Sequence, residues 1–273
     1  MGTQEDRCNQ ADSLEISDIM VMCLIQTRSL LFGFLFALAW GGLGASEPAG
    51  WTLEEVLSRV EAANGGMEAI EAVTNIRVMG EVETNGVTHE FLLLKKRPDK
   101  IRIRLMMKGR VIETGFDGET AWRRLRDNGQ ERVLPISKEE LASAGLDLDF
   151  DGPLIGQPLP GTQLSLRGIE RIGRGDYFVV VVEKENSISR HYLDARTFRE
   201  LRTVSQRIED GEPGKEFMNE YFEYKRYGTI WFAERVEREM ADGGREIIRV
   251  RQVELDPGVL DRSFAMPASA AGK

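Results

Sequence analysis

With 273 residues, 36 basic against 45 acidic side chains and a formal net charge of −9, the chain lacks the basic surplus and high pI of a nucleic-acid-binding protein. Its two cysteines, Cys8 and Cys23, both precede an apolar run, so whatever follows that run is expected to hold no disulfide, thiolate metal site or cysteine nucleophile.

The N-terminal part reads differently from the rest. Residues 30–40 are uncharged and apolar, with Arg28 ahead of them and the small-residue stretch Gly41, Gly42, Leu43, Gly44, Ala45, Ser46 behind. That order is the one a secretory signal uses, with cleavage near Ala45. The run is shorter than the about 18 apolar residues that a membrane span needs. Upstream lie Glu5, Asp6, Asp12, Glu15 and Asp18, whereas a signal's leading segment is positive; translation starting at Met20 or Met22 would leave Arg28 as the only charge before the run. Cleavage removes two arginines and five acids, shifts the formal charge from −9 to −6 and leaves 228 residues, enough for one large domain or two small ones. No cysteine follows the apolar run to carry a lipid anchor, so a periplasmic, unanchored form is expected.

Thr52, Leu53, Glu54 and Glu55 have capping-box spacing, and Leu53, Val56, Leu57, Val60 and Ala63 follow at helical spacing, which predicts a helix. Asn64, Gly65 and Gly66 stop it, and residues 67–73 suit one or two further turns. From Ile76 the period changes to two. Residues 76–83 and 87–96 flank the tight-turn pair Asn85-Gly86 and predict a hairpin. The turn at residues 97–100 leads to a half-buried strand in which Ile101, Ile103, Leu105 and Met107 alternate with Arg102, Arg104, Met106 and Lys108. Strands at residues 111–116 and 119–126 continue an antiparallel meander as far as the turn at 127–129. Ser137 and Glu140 mark a second capping box before a helix or broken helix through Leu141, Ala144 and Leu148, and residues 151–161 read as a Gly- and Pro-rich loop. Strands resume near residues 164–172, 177–185, 188–193, 200–207, 217–225, 232–240 and 246–255. The reading is a mainly β protein of about ten or eleven strands, one domain over residues 46–267 with a loose tail at 268–273.

Catalytic and metal-binding patterns are sparse. His89 and His191 stand in no paired ligand spacing and are read as strand residues at a face or edge of the sheet. No nucleophile elbow occurs. Gly211, Glu212, Pro213, Gly214 and Lys215 are similar to the end of a phosphate loop but lack the following Ser or Thr, and Arg174, Gly175 and Asp176 sit beside Gly173 between strands; both read as turns. Asp147, Asp149 and Asp151 alternate without the closing glutamate of a calcium loop, so a solvated helix end is expected. No acidic pair is singled out for glycoside hydrolysis. Neither a cofactor nor a metal is implied.

What remains is apolar surface. The inward candidates are Val78, Val82, Phe91, Leu93, Ile101, Ile103, Leu105, Phe116 and Trp122. A curled sheet lined by them either fills its interior with side chains or leaves room for a ligand, and both are compatible with the pattern.

The order of these pieces resembles the LolA/LolB-like family of periplasmic lipoprotein-localisation proteins, with its relatives among sorting proteins and envelope-stress regulators. The likeness rests on the helix closed by Asn64-Gly65-Gly66 and residues 67–73, the first strand at 76–80, the stretch 97–104 opening Arg97-Pro98-Asp99-Lys100, the stretch 116–122 from Phe116 to Trp122, the hairpin at 192–198, the stretch 221–228 and the closing Asp261-Arg262-Ser263-Phe264. The resemblance implies a half-open antiparallel β-barrel (α+β) whose concave, apolar face holds lipid or lipoprotein acyl chains beneath short helices near residues 52–73 and 137–150. It also implies a non-enzymatic carrier in outer-membrane biogenesis that exchanges cargo with envelope transport or acceptor proteins. A curved sheet binding a protein partner, as a sensor or scaffold, is the alternative.

Overall fold

The computed structural model describes residues 50–143, 148–209, 212–239 and 243–268. The expected signal segment and its cleavage site, both cysteines, Asp147 and the tail apart from residue 268 lie outside the described residues.

Helix α1 (Leu53–Ala63) begins where the spacing predicts. The Thr52 hydroxyl accepts from the Glu55 N–H at 3.2 Å, while the Glu55 carboxylate accepts from the Thr52 N–H at 2.8 Å. It ends in a Schellman motif: Gly66 N–H donates to the Glu61 carbonyl at 2.9 Å and Gly65 N–H to Ala62 at 3.2 Å, with Gly65 at φ +119°. A Cβ on Gly65 would lie 2.2 Å from the Thr229 carbonyl oxygen, so the glycine serves both the turn and a close approach. Helix α2 (Met67–Ala72) follows directly.

The strands form one fourteen-stranded antiparallel sheet that does not close on itself. They are β1 (Asn75–Thr84), β2 (Val87–Lys96), β3 (Lys100–Met107), β4 (Arg110–Phe116), β5 (Ala121–Asp127), β6 (Gln130–Ile136), β7 (Gln163–Ile172), β8 (Gly175–Lys184), β9 (Ser187–Asp194), β10 (Glu200–Glu209), the two-residue β11 (Glu212–Pro213), β12 (Phe217–Tyr227), β13 (Ile230–Glu239) and β14 (Arg245–Leu255). Their lateral order is β6-β5-β4-β3-β2-β1-β14-β13-β12-β10-β9-β8-β7, with β11 paired to β10 alone. The pattern predicts ten or eleven strands, and it carries no signal for β6 or β11. Residues 130–132 of β6 are polar and Pro135 lies within it, which only an edge strand tolerates. Both Asn-Gly turns have the positive φ at each residue that a two-residue hairpin requires, 52° and 76° at Asn85-Gly86 and 45° and 85° at Asn128-Gly129.

The chain thus starts at the middle of the sheet, winds out to β6, and must reach the far edge at β7. It crosses over the concave face. Helix α3 (Lys138–Ser143) opens with the second capping box, Ser137 and Glu140 exchanging contacts of 2.8 and 3.1 Å, and buries Leu141 against Ile101, Phe116 and Ala121. Residues 148–162 complete the crossing, and Leu154 packs with Val56 and Val60 of α1 on Phe178, Val180, Val182 and Leu193. Full burial of the two α1 valines contributes about 1.5–3 kcal/mol each.

Register assigns each residue a face. Ala121, Phe116, Ile101, Lys95, Ile76 and Leu255 lie in one row across β5, β4, β3, β2, β1 and β14, on the concave side. The adjacent row, Trp122, Gly115, Arg102, Leu94, Arg77 and Glu254, therefore faces the other way. On this convex side Val259 and Phe264 of the C-terminal segment cover Leu94, and Glu113 is wholly buried among Arg102, Arg104 and Arg124.

Candidate functional site

The curved sheet, α1 and the crossing segment enclose a half-open cavity of about 960 Å³. That lies near the top of the about 300–1,000 Å³ range of small-molecule pockets. Its wall on β1, β2 and β3 includes Val78, Val82, Phe91, Leu93, Ile101, Ile103 and Leu105, seven of the nine inward candidates, and also carries the polar Thr84, His89 and Lys95. The opposite wall is built from Phe232, Ile248 and Val250 on β13 and β14, and the crossing segment adds Phe150, Leu154 and Ile155. Gly80 shapes the floor: a Cβ there would lie 2.2 Å from the Arg249 carbonyl oxygen and 2.8 Å from the Phe91 ring, beside a register shift between β1 and β14.

Two of the nine residues stand elsewhere. Phe116 faces the concave side but is sealed beneath α3, with Leu141 over it, and does not reach the cavity. Trp122 is on the convex face, fully buried, its indole N–H donating to the Phe264 carbonyl at 2.7 Å. The hairpin explains the difference: Phe116 pairs with Ala121, so these two share a face and Trp122, the next residue, takes the opposite one.

The crossing segment is pinned to the rim by Arg97, just after β2. Its guanidinium donates to Asp151 Oδ2 at 2.5 Å and Oδ1 at 2.7 Å, and also to the carbonyls of Val73 at 2.8 Å and Ile70 at 3.0 Å. It stacks 4.3 Å from the Phe150 ring centre, and Lys95 donates to the Asp149 and Phe150 carbonyls. The solvated helix end predicted for these aspartates is corrected at Asp151, whose side chain is 19 % exposed and bound twice by Arg97. A bidentate partner 54 residues away leaves no local trace in sequence.

One end of the cavity is polar, and alternation gave no warning of it. His191 Nδ1 lies 2.6 Å from Glu200 Oε1 and its Nε2 lies 2.9 Å from Ser189 Oγ. Thr203 donates to the same Glu200 oxygen at 2.6 Å and shares a 3.2 Å contact with the Tyr221 hydroxyl, while the Tyr224 hydroxyl donates to the Glu200 carbonyl at 2.8 Å. Burial, reinforced by the Glu200 charge, pushes both tyrosine hydroxyls up, so they stay protonated donors. Tyr221 and Tyr224 reach one wall from a spacing of three because Glu223, at φ 57°, interrupts the alternation of β12. Serine, histidine and glutamate stand in the hydrogen-bond order of a hydrolytic triad. His191 and Glu200 line the cavity, while Ser189 stands behind them, outside the lining. Farther along, Arg238 donates to Asn219 at 2.9 Å and Glu246 at 3.3 Å, and Glu246 also accepts from Thr84. Among the described residues no cluster of His, Cys, Asp and Glu could hold a metal ion, and no helix is long and apolar enough to cross a membrane.

No family model matches the sequence, and no curated protein matches it. Solved structures do. One assigned as an outer membrane lipoprotein-sorting protein domain from Vibrio parahaemolyticus superposes with a TM-score of 0.54 at 14 % identity, over 78 % of this chain and 95 % of that one. A DUF1329 family protein from Desulfovibrio piger gives 0.54 at 12 % identity, covering 81 % and 98 %, and a LolA superfamily protein from Nitrosomonas europaea gives 0.54 at 12 %, covering 79 % and 98 %. At these identities the likeness concerns architecture: the open antiparallel sheet wrapped around a concave cavity is a LolA-like fold.

Proposed function

We propose that the protein is an exported, non-enzymatic carrier that shelters a lipid or lipoprotein acyl chain from water in the periplasm. The observation that carries this reading is the cavity itself: about 960 Å³, half open, and apolar along β1, β2, β3, β13, β14 and the crossing segment. A chain burying about ten methylenes there gains about 8 kcal/mol, equivalent to micromolar affinity before ordering costs are subtracted. The half-open sheet suits transfer, since an acyl chain can enter sideways and need not thread an opening. The LolA-like fold supports the same reading, and envelope proteins that deliver and accept the cargo are its expected partners.

Displacement of a fluorescent fatty acid tests it. The purified protein is expected to bind the probe at micromolar concentration, and Ile103→Glu, which sets a charge in the middle of the apolar wall, is expected to weaken binding by tenfold or more, about 1.4 kcal/mol. Absence of probe binding by the unsubstituted protein refutes the carrier reading. A pull-down recovering one stoichiometric protein and no lipid would favour a sensor or scaffold instead.

A further inference from the structure

The charged groups on the cavity wall are Lys95, Arg199, Arg238, Asp151, Glu200 and Glu246. Five of them are engaged. Lys95 donates to two carbonyls of the crossing segment; Arg238 pairs with Glu246; Asp151 is held by Arg97; and Glu200 accepts from His191 and Thr203. The Arg199 guanidinium has neither a hydrogen bond nor an ion pair among the described residues, and its Nε is buried without an acceptor. Its Cζ lies over the Trp231 ring, 3.8 Å from the centroid, with the Tyr224 ring centre at 5.8 Å. Arg97 pairs with Asp151, Arg238 pairs with Glu246 and Lys95 is held by backbone carbonyls, so Arg199 is the wall cation whose guanidinium engages no oxygen acceptor among the described residues.

A guanidinium held by aromatic faces in a largely apolar cavity, with a buried N–H lacking an acceptor, is incomplete without an anion. We propose that Arg199 is the head-group site of the cavity and that the ligand is an anionic amphiphile, its carboxylate or phosphate oxygens paired with this guanidinium and its chain laid along the β1, β2 and β3 wall. The site rests on the carrier reading above and narrows its cargo. The planar guanidinium fork matches a two-oxygen acceptor better than a hydroxyl.

Competition against a neutral fluorescent acyl probe separates the two claims. Hexadecanoate and a single-chain lysophosphatidate are measured against hexadecanol on the unsubstituted protein, on Arg199→Gln and on Arg199→Lys. At least one anionic competitor is expected to bind about tenfold or more tightly than hexadecanol, and which of them does so distinguishes a carboxylate head from a phosphate one. Arg199→Gln is expected to bring the ratio of anion to hexadecanol affinity down to about one, and Arg199→Lys to retain part of the preference. Affinities for both anionic competitors no higher than that for hexadecanol, or a preference that survives Arg199→Gln, overturn the head-group assignment alone. Failure to bind any of the three overturns the carrier reading and this one with it.

Discussion

The crossing segment closes one side of the cavity, and the Asp151 carboxylate is its ion-paired anchor to the rim. Asp151→Ala removes two of the four hydrogen bonds made by the Arg97 guanidinium, at 2.5 and 2.7 Å, and leaves those to the Ile70 and Val73 carbonyls. Hydrogen bonds to charged groups are worth about 1.5–3 kcal/mol each. Water can replace part of what is lost, since the two side chains are 28 % and 19 % exposed, so the expected cost is about 2–3 kcal/mol. For a domain of this size that lowers Tm by about 4–12 °C. Thermal unfolding followed by circular dichroism measures it, and limited proteolysis reports the second consequence, faster cleavage near Phe150 and Leu154 once their anchor is gone. Asp151→Asn keeps one acceptor and should lose about half as much. Unchanged Tm and protease resistance in Asp151→Ala would refute the anchoring role.

Further outcomes follow from other contacts. Burial alone would raise the Glu113 carboxyl, but the hydrogen bonds and charges of Arg102 and Arg104 outweigh it and hold it below the ordinary carboxylate range. Its stabilisation is therefore complete above the unfolded value, near pH 4.3, and is lost as pH falls through the lowered folded value. Glu113→Gln is expected to cost about 2–4 kcal/mol at pH 7 and to cost less below pH 4; urea titrations showing the same difference at both pH values would contradict this. Gly80→Ala forces a Cβ against the Arg249 carbonyl and the Phe91 ring, and should destabilise by about 1–3 kcal/mol in the same assay, wild-type stability being the contrary result. Trp122→Phe loses the indole bond to the Phe264 carbonyl at a cost of about 1–2 kcal/mol. Because Trp122 is on the convex face, acyl-probe affinity should not change, and a marked drop would contradict that placement.

Local chemistry was the most legible part of the fold. Two capping boxes, a glycine helix stop and two Asn-Gly hairpins are each specified within a few residues, and each forms. Strict alternation likewise gave the faces of β3, where Ile101, Ile103 and Leu105 point one way and Arg102 and Arg104 the other. Alternation failed wherever parity was reset or burial came from afar. The hairpin between β4 and β5 put Trp122 opposite Phe116, and only the distant C-terminal segment explains why a convex-face tryptophan is buried. The left-handed Glu223 hid the pairing of Tyr221 with Tyr224. His191 looked like an ordinary strand residue because its partner Glu200 lies across the turn to the next strand. Asp151 looked solvated because Arg97 lies on the other side of the meander.

The most direct test of an acyl-chain carrier is native mass spectrometry of the protein purified from the bacterial envelope, with solvent extraction of whatever accompanies it. A stoichiometric mass increment that extracts as an amphiphile, and that disappears in Ile103→Glu, is the expected result. Protein at its bare polypeptide mass, with no amphiphile in the extract and none taken up from added lipid, would contradict it.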